Sequence, residues 1–162
     1  MRGDTCPHRR RWGQDLIPGL TSGLIEVGSP GAGSILPQPF VRADGFAGRL
    51  DDLTGGVVRA IAVEPLTPGD RALLLDALAP LGGVLVVIGG PAGPEGGAVD
   101  AVEDEGVLSS WLRATGQRIV VARPDHYVYG TASSAAYAAE LLAGLRNRLA
   151  GRAGRPAHAH GA

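Results

Sequence analysis

Few residues in this chain have the types and spacing that chemistry requires. Cys6 is the only cysteine among 162 residues, so a single chain can build neither a disulfide nor a Cys-x-x-Cys redox or zinc site. Arg123, Asp125 and His126 are the types that could make a catalytic cluster. An Arg and an Asp flanking Pro124 are expected to pair with each other or to cap backbone groups, and His126, alternating along a short strand, is expected to face solvent. Asp51 and Asp52 are adjacent, so in extended chain they point to opposite sides. A local Asx-type role before Thr54-Gly55 is expected of them rather than a paired-carboxylate site. His158 and His160 stand two apart in a polar tail, where adventitious metal binding is the most they offer.

Phosphate and dinucleotide chemistry finds no better footing. A Rossmann site needs Gly-x-Gly-x-x-Gly between a strand and a helix so that backbone amides approach the pyrophosphate, and that spacing does not occur. The loop Gly89 to Gly97 follows an apolar strand, but Pro91 and Pro94 remove two amide donors from it. It is expected to be a connection. Ala43-Asp44-Gly45 resembles an Asp-Gly flavin-binding motif, but it follows Pro-rich chain rather than a strand. The expectation is therefore no catalytic, no cofactor-binding and no metal-ligating residue.

Composition narrows the partners. The net charge is -1 and all fifteen basic residues are Arg, a balance that gives no long-range field for nucleic acid or an acidic membrane. The all-Arg usage reads as codon bias, so no arginine is singled out. The longest apolar run, Val84 to Ile88, is strand-sized, far short of a membrane span. The basic opening Met1 to Trp12 has no apolar stretch behind it and is not a secretory signal. A cytoplasmic protein is expected.

The elements follow from local pattern. Residues 1–34, with three Pro and few apolar groups, read as an extended N-terminal segment lying on something larger, and Ile35 to Gly55 as irregular chain. Val57 to Val63 reads as a strand. Thr67-Pro68-Gly69-Asp70 supplies an N-cap, a first-turn Pro and a carboxylate at capping-box spacing, predicting a helix over 68–79 with Leu74, Leu75 and Leu78 inward. Val84 to Ile88 is continuously apolar, as in a strand covered on both faces, which makes a βαβ unit with parallel strands. A second helix is expected over 104–115. A hairpin is expected from Ile119–Ala122 and Tyr127–Tyr129, then a third helix over 131–150 with Leu141, Leu142, Leu145 and Leu149 inward and Gly151 closing it. The organisation expected is thus a segment 1–34, a domain 35–150 and a flexible tail 151–162.

The fold class expected is α/β, with a mixed sheet in β-α-β-α-β-β-α order plus an irregular N-terminal extension, the connectivity of a thioredoxin-like fold. Redox members of that fold place a cysteine at the start of the first core helix, where the helix dipole lowers its pKa. Here that place reads Pro65-Leu-Thr-Pro-Gly69, and Thr115-Gly-Gln-Arg-Ile119 has no Pro before the third core strand. Redox catalysis is not expected.

Pro37-Gln-Pro39, Leu50-Asp-Asp-Leu-Thr-Gly55 and Arg123-Pro-Asp125 with Tyr127 carry a family resemblance. In this order the chain, over roughly Leu16 to Leu149, resembles the C-terminal domain of FAD-dependent aromatic-ring hydroxylases of the 3-(3-hydroxyphenyl)propionate hydroxylase type, among the class A flavoprotein monooxygenases. The resemblance implies a structural and interaction domain without redox cysteines. FAD and NAD(P)H would belong to the parent enzyme, the FAD and substrate domains would be its partners, dimer contacts would be a further role, and aromatic-compound catabolism would be the setting. No flavin-contacting or catalytic residue carries over, because the motifs that bear them have no matching positions here. The expectation is a separated or truncated C-terminal domain beginning at an internal or shifted Met1. The alternative is a free-standing, redox-inactive thioredoxin-like module that docks on a flavoprotein.

Overall fold

The computed structural model describes residues 19–89 and 97–153. Seven strands and four helices follow in the order β1 (Phe40–Ala43), β2 (Phe46–Arg49), α1 (Leu50–Thr54), β3 (Arg59–Ala62), α2 (Pro68–Leu78), β4 (Val84–Ile88), β5 (Ala98–Glu103), α3 (Val107–Ala114), β6 (Ile119–Ala122), β7 (Val128–Ala132) and α4 (Ala135–Ala153). They form one sheet ordered β2-β1-β5-β4-β3-β6-β7. β3, β4 and β5 run parallel, β6 is antiparallel to β3, and β7 is antiparallel to β6. The four strands β4-β3-β6-β7 with α2, α3 and α4 have the connectivity and strand directions of the thioredoxin fold. The expected fold class is therefore the observed one.

Alternate residues of the central strands face two cores, as strand pleating requires. Leu85, Val87, Ile119, Val121 and Tyr129 pack against Leu74 and Leu78 of α2 and Leu141, Leu142 and Leu145 of α4. On the other face Ile61, Val86, Ile88 and Val120 pack against Leu108 and Leu112 of α3 and against Leu36 and Leu50. Thr67 caps α2 as its sequence predicts, its Oγ1 accepting from Asp70 N at 3.1 Å, with Pro68 at the first turn.

Several expectations fail, each for an identifiable reason. Residues 35–55 are not irregular: the two-residue turn Asp44-Gly45, with Gly45 at φ 71°, closes the β1–β2 hairpin and α1 follows at once. Two prolines upstream obscured a pattern of only four residues per strand. β5 was not anticipated, because Asp100 and Glu103 break its apolar pattern; each finds a partner from a helix, Arg71 of α2 and the start of α3 respectively. The second helix, expected from residue 104, starts at Val107. β7 extends to Ala132, so the last helix begins at Ala135 and runs through Gly151 to Ala153. Leu149 is 40% exposed rather than inward, and Leu75 is only half-buried.

The N-terminal segment rests on the domain itself where it is described. Glu26 N donates to Tyr129 O, Gly33 N to Val128 O, and Leu36 N to His126 O, all at 2.8 to 2.9 Å. Ile25 and Leu36 are buried. The edge of β7 is thereby sealed, which removes a row of unpaired backbone groups. Leu16 and Ile17 lie outside the described residues.

Tyr129 sits under this seal. Burial raises its hydroxyl pKa above the usual 10.0, the Arg148 guanidinium partly opposes the rise, and Glu26 adds to it through its charge and the hydrogen bond it accepts. The unfolded chain would ionise near pH ~10 while the folded chain stays neutral, so this contribution is complete below that pH and is lost as pH climbs towards the folded value. Thermal melts of the wild type and Tyr129→Phe should therefore keep a constant gap up to that pH and converge above it. A gap unchanged well into the alkaline range would show that the hydroxyl is not sealed from water.

Candidate functional site

At the position where a thioredoxin-like enzyme carries its thiol, the start of α2 is a capping box. Thr67 Oγ1 donates to Asp70 Oδ2 at 2.8 Å, and Arg71 pairs with the nearly buried Asp100 of β5. Hydroxyl and carboxylate here are engaged with each other and the guanidinium with β5, and the turn carries no thiol. Cys6 lies outside the described residues, as do His158, His160 and residues 90–96 of the Gly-rich loop. Asp44-Gly45 is the turn of the β1–β2 hairpin, so it follows a strand and not the irregular chain expected before it. Among the described residues there is no group of His, Cys, Asp and Glu that could hold a metal ion, and no helix long and apolar enough to cross a membrane.

The dominant polar cluster is one that sequence reasoning discounted. Arg59, the first residue of β3, is fully buried. Its Nη1 pairs with Asp51 Oδ1 and reaches Thr54 Oγ1 at 3.3 Å, both from α1, while Nη2 donates to Arg123 O at 3.2 Å and lies 3.1 Å from His126 Nδ1. His126 Nδ1 is also 2.8 Å from Asp51 Oδ2. Arg59 Nε has no partner among the described residues. One expectation is corrected here and one completed. Asp51 is an ion-pair partner rather than a local turn former, and His126, its side chain 42% exposed, turns its ring nitrogen to the cluster. Arg123 and Asp125 do pair across the turn, as expected.

His126 holds φ at 68°, a left-handed conformation that costs a side-chain-bearing residue energy and persists only where neighbours fix it. Its carbonyl accepts from Leu36 N, and its ring meets Asp51. The cluster thus locks α1, β3, the β6–β7 turn and the N-terminal segment together. Apart from Arg59 Nε, its polar groups are engaged with one another. The one signal in the sequence was Arg59 itself, a lone charge in an otherwise apolar strand.

A groove of about 960 Å³ opens on the α3 side of the sheet, between residues 35–40 and α3. Pro37, Pro39 and Trp111 supply apolar lining, and Arg49, Asp104 and Glu105 charged lining. The cluster around Arg59 does not reach it.

Removing one partner of a buried ion pair leaves an uncompensated charge, and breaking such pairs costs about 3–5 kcal/mol. Because Asp51 is itself a quarter exposed, Asp51→Asn should cost somewhat less, about 2–3 kcal/mol by urea unfolding. Adding Arg59→Met should recover part of that loss; strict additivity of the two would refute the lock. The capped turn at Thr67 also predicts no insulin disulfide reduction above the thiol background, and Cys6→Ser should leave the melting temperature unchanged.

The HcaD C-terminal domain family matches residues 33–148 of the chain. No curated protein sequence matches it. Among solved structures, the chain is similar to aklavinone-11 hydroxylase, crystallised with FAD and aklavinone, at 24% identity and a TM-score of 0.52 over 72% of this chain and 21% of that one. It is also similar to the flavin-dependent monooxygenase PieE, crystallised with FAD and substrate, at 18% identity and a TM-score of 0.52 over 81% of this chain and 25% of that one. The chain spans about a fifth to a quarter of the length of these structures, and at these identities the likeness is one of fold.

Proposed function

The chain belongs to the HcaD C-terminal domain family, and from that membership we propose that it serves as the C-terminal domain of an FAD-dependent aromatic-ring monooxygenase of the 3-(3-hydroxyphenyl)propionate hydroxylase type. One observation carries this reading: most of the chain shares its fold with about a quarter or less of two flavin-dependent hydroxylases. The same architecture therefore occurs as one part of a larger flavoprotein. In this role the domain supplies packing and contact surface, and the FAD and substrate domains are its partners. FAD and NAD(P)H are held outside this chain. The self-contained capping box at Thr67 and the hairpin turn at Asp44-Gly45 both support a chain without a flavin site. Homodimer contacts, a cytoplasmic location and aromatic-compound catabolism go with the same reading.

A free-standing module that docks on a flavoprotein is the second reading, and one observation favours it. Residues 19–36 bury Ile25 and Leu36 against the domain's own β7 edge and core, so this part of the N-terminal segment does not need a neighbour to cover it.

Equilibrium dialysis of the chain with FAD should show no stoichiometric binding. Mixed with the FAD and substrate domains of a related hydroxylase lacking its matching segment, the chain should coelute in gel filtration. Stoichiometric FAD binding by the chain alone would overturn the claim that it has no flavin site. Failure to coelute would remove the domain reading and leave the free-standing module.

A further inference from the structure

The turn that closes the β1–β2 hairpin brings a carboxyl group and a backbone amide together with nothing to occupy either. Asp44 and Gly45 are both exposed. Neither the Asp44 carboxyl group nor the Gly45 N–H has a hydrogen-bond or ion-pair partner among the described residues. Gly45 carries no Cβ, and one placed there would meet nothing within 4 Å. Its nitrogen is therefore crowded neither by a side chain of its own nor by a neighbour. The other described aspartates stand differently. Asp44 alone precedes a glycine. The carboxylates of Asp51, Asp70, Asp100, Asp104 and Asp125 are each held by a partner, and Asp52 and Asp76 lie inside α1 and α2.

We propose that Asp44 is a site of spontaneous backbone modification, where the bond to Gly45 rearranges through a cyclic imide to isoaspartate. Gly45 N attacks Asp44 Cγ. A C–N bond forms, one Cγ–O bond breaks, and the hydroxyl leaves with the amide proton as water. Water then adds to the imide. Where it enters at the former main-chain carbonyl, that carbon's bond to the Gly45 nitrogen breaks and the chain continues through Cγ. Nothing is oxidised or reduced, and water is the only co-reactant. The product has one more methylene in its main chain and a free carboxylate on the Asp44 Cα. Ala43 and Phe46 pair directly across the two turn residues, and the lengthened turn no longer fits that closure. β2 leads straight into α1, where Asp51 neutralises Arg59, so the hairpin loosens from the turn towards the buried ion pair.

The test is to age the full-length folded chain at neutral pH below its melting temperature, then treat it with an isoaspartyl methyltransferase and labelled S-adenosylmethionine. Trypsin cuts after Arg42 and Arg49, so label should appear in the peptide of residues 43–49, and fragmentation by electron transfer should identify isoaspartate at position 44. Asp44→Glu should lose that label, because the imide ring that glutamate forms is one atom larger and closes far more slowly. The isomerised fraction, resolved by ion exchange, should unfold at a lower urea concentration than the unaged chain. Absence of label in the folded chain would overturn the proposal, and a synthetic peptide of residues 40–49 labelled in parallel would show that the hairpin keeps the two groups from reacting. Label confined to other aspartyl peptides, or undiminished in Asp44→Glu, would overturn it as well. An unchanged urea midpoint would refute the loosening of the hairpin.

Discussion

A guanidinium at zero exposure has to be neutralised where it stands, and the arrangement of this domain follows from how Arg59 is neutralised. The carboxylate comes from α1, only eight residues upstream, whereas the carbonyl and the imidazole come from the β6–β7 turn, which only the fold brings to Arg59. Each partner is in turn held elsewhere. Asp51 N donates to Gln38 Oε1 at 3.2 Å, and Arg123 reaches Leu24 O while pairing with Asp125. Desolvating a charge is expensive unless every neighbour is fixed in place. The cluster therefore specifies one mutual placement of α1, β3, the hairpin turn and the N-terminal segment, where apolar packing alone would tolerate several.

The two edges of the sheet are managed by different means. At β7 the N-terminal segment pairs along the strand and Arg148 of α4 reaches across to Ile25 O and Glu26, so the seal is bonded on two sides. At β2 the edge is only four residues long and runs directly into α1, a short and charged edge of the kind that discourages strand addition. Gly33 makes the first of these possible. A Cβ there would meet Leu20 O at 2.0 Å, and its φ of 81° suits glycine.

The thioredoxin-like frame is kept, and the polar groups at the start of α2 are engaged in structure. The helix start that would activate a thiol is occupied by a Thr cap, a Pro and an Asp, and the adjacent Arg71–Asp100 pair ties α2 to β5. Extra strands β1, β2 and β5 widen the sheet on the β4 side, and with the N-terminal segment they create surface and a groove. Two solved structures share this fold over about a fifth to a quarter of their length.

The sequence by itself determined the central βαβ unit, the cap of α2, the final hairpin and the long last helix, because each rests on local period and turn chemistry acting over a few residues. Family membership was legible too, in three short motifs. What only the tertiary structure decided depends on partners far apart in the chain. β5 is a strand because Arg71 and α3 satisfy its carboxylates, β1 and β2 exist because the sheet offers them an edge, and His126 turns Nδ1 to the cluster because Arg59 and Asp51 stand there. A buried charge is recognisable in sequence only as an anomaly, since its meaning lies in groups that folding alone brings within hydrogen-bonding distance.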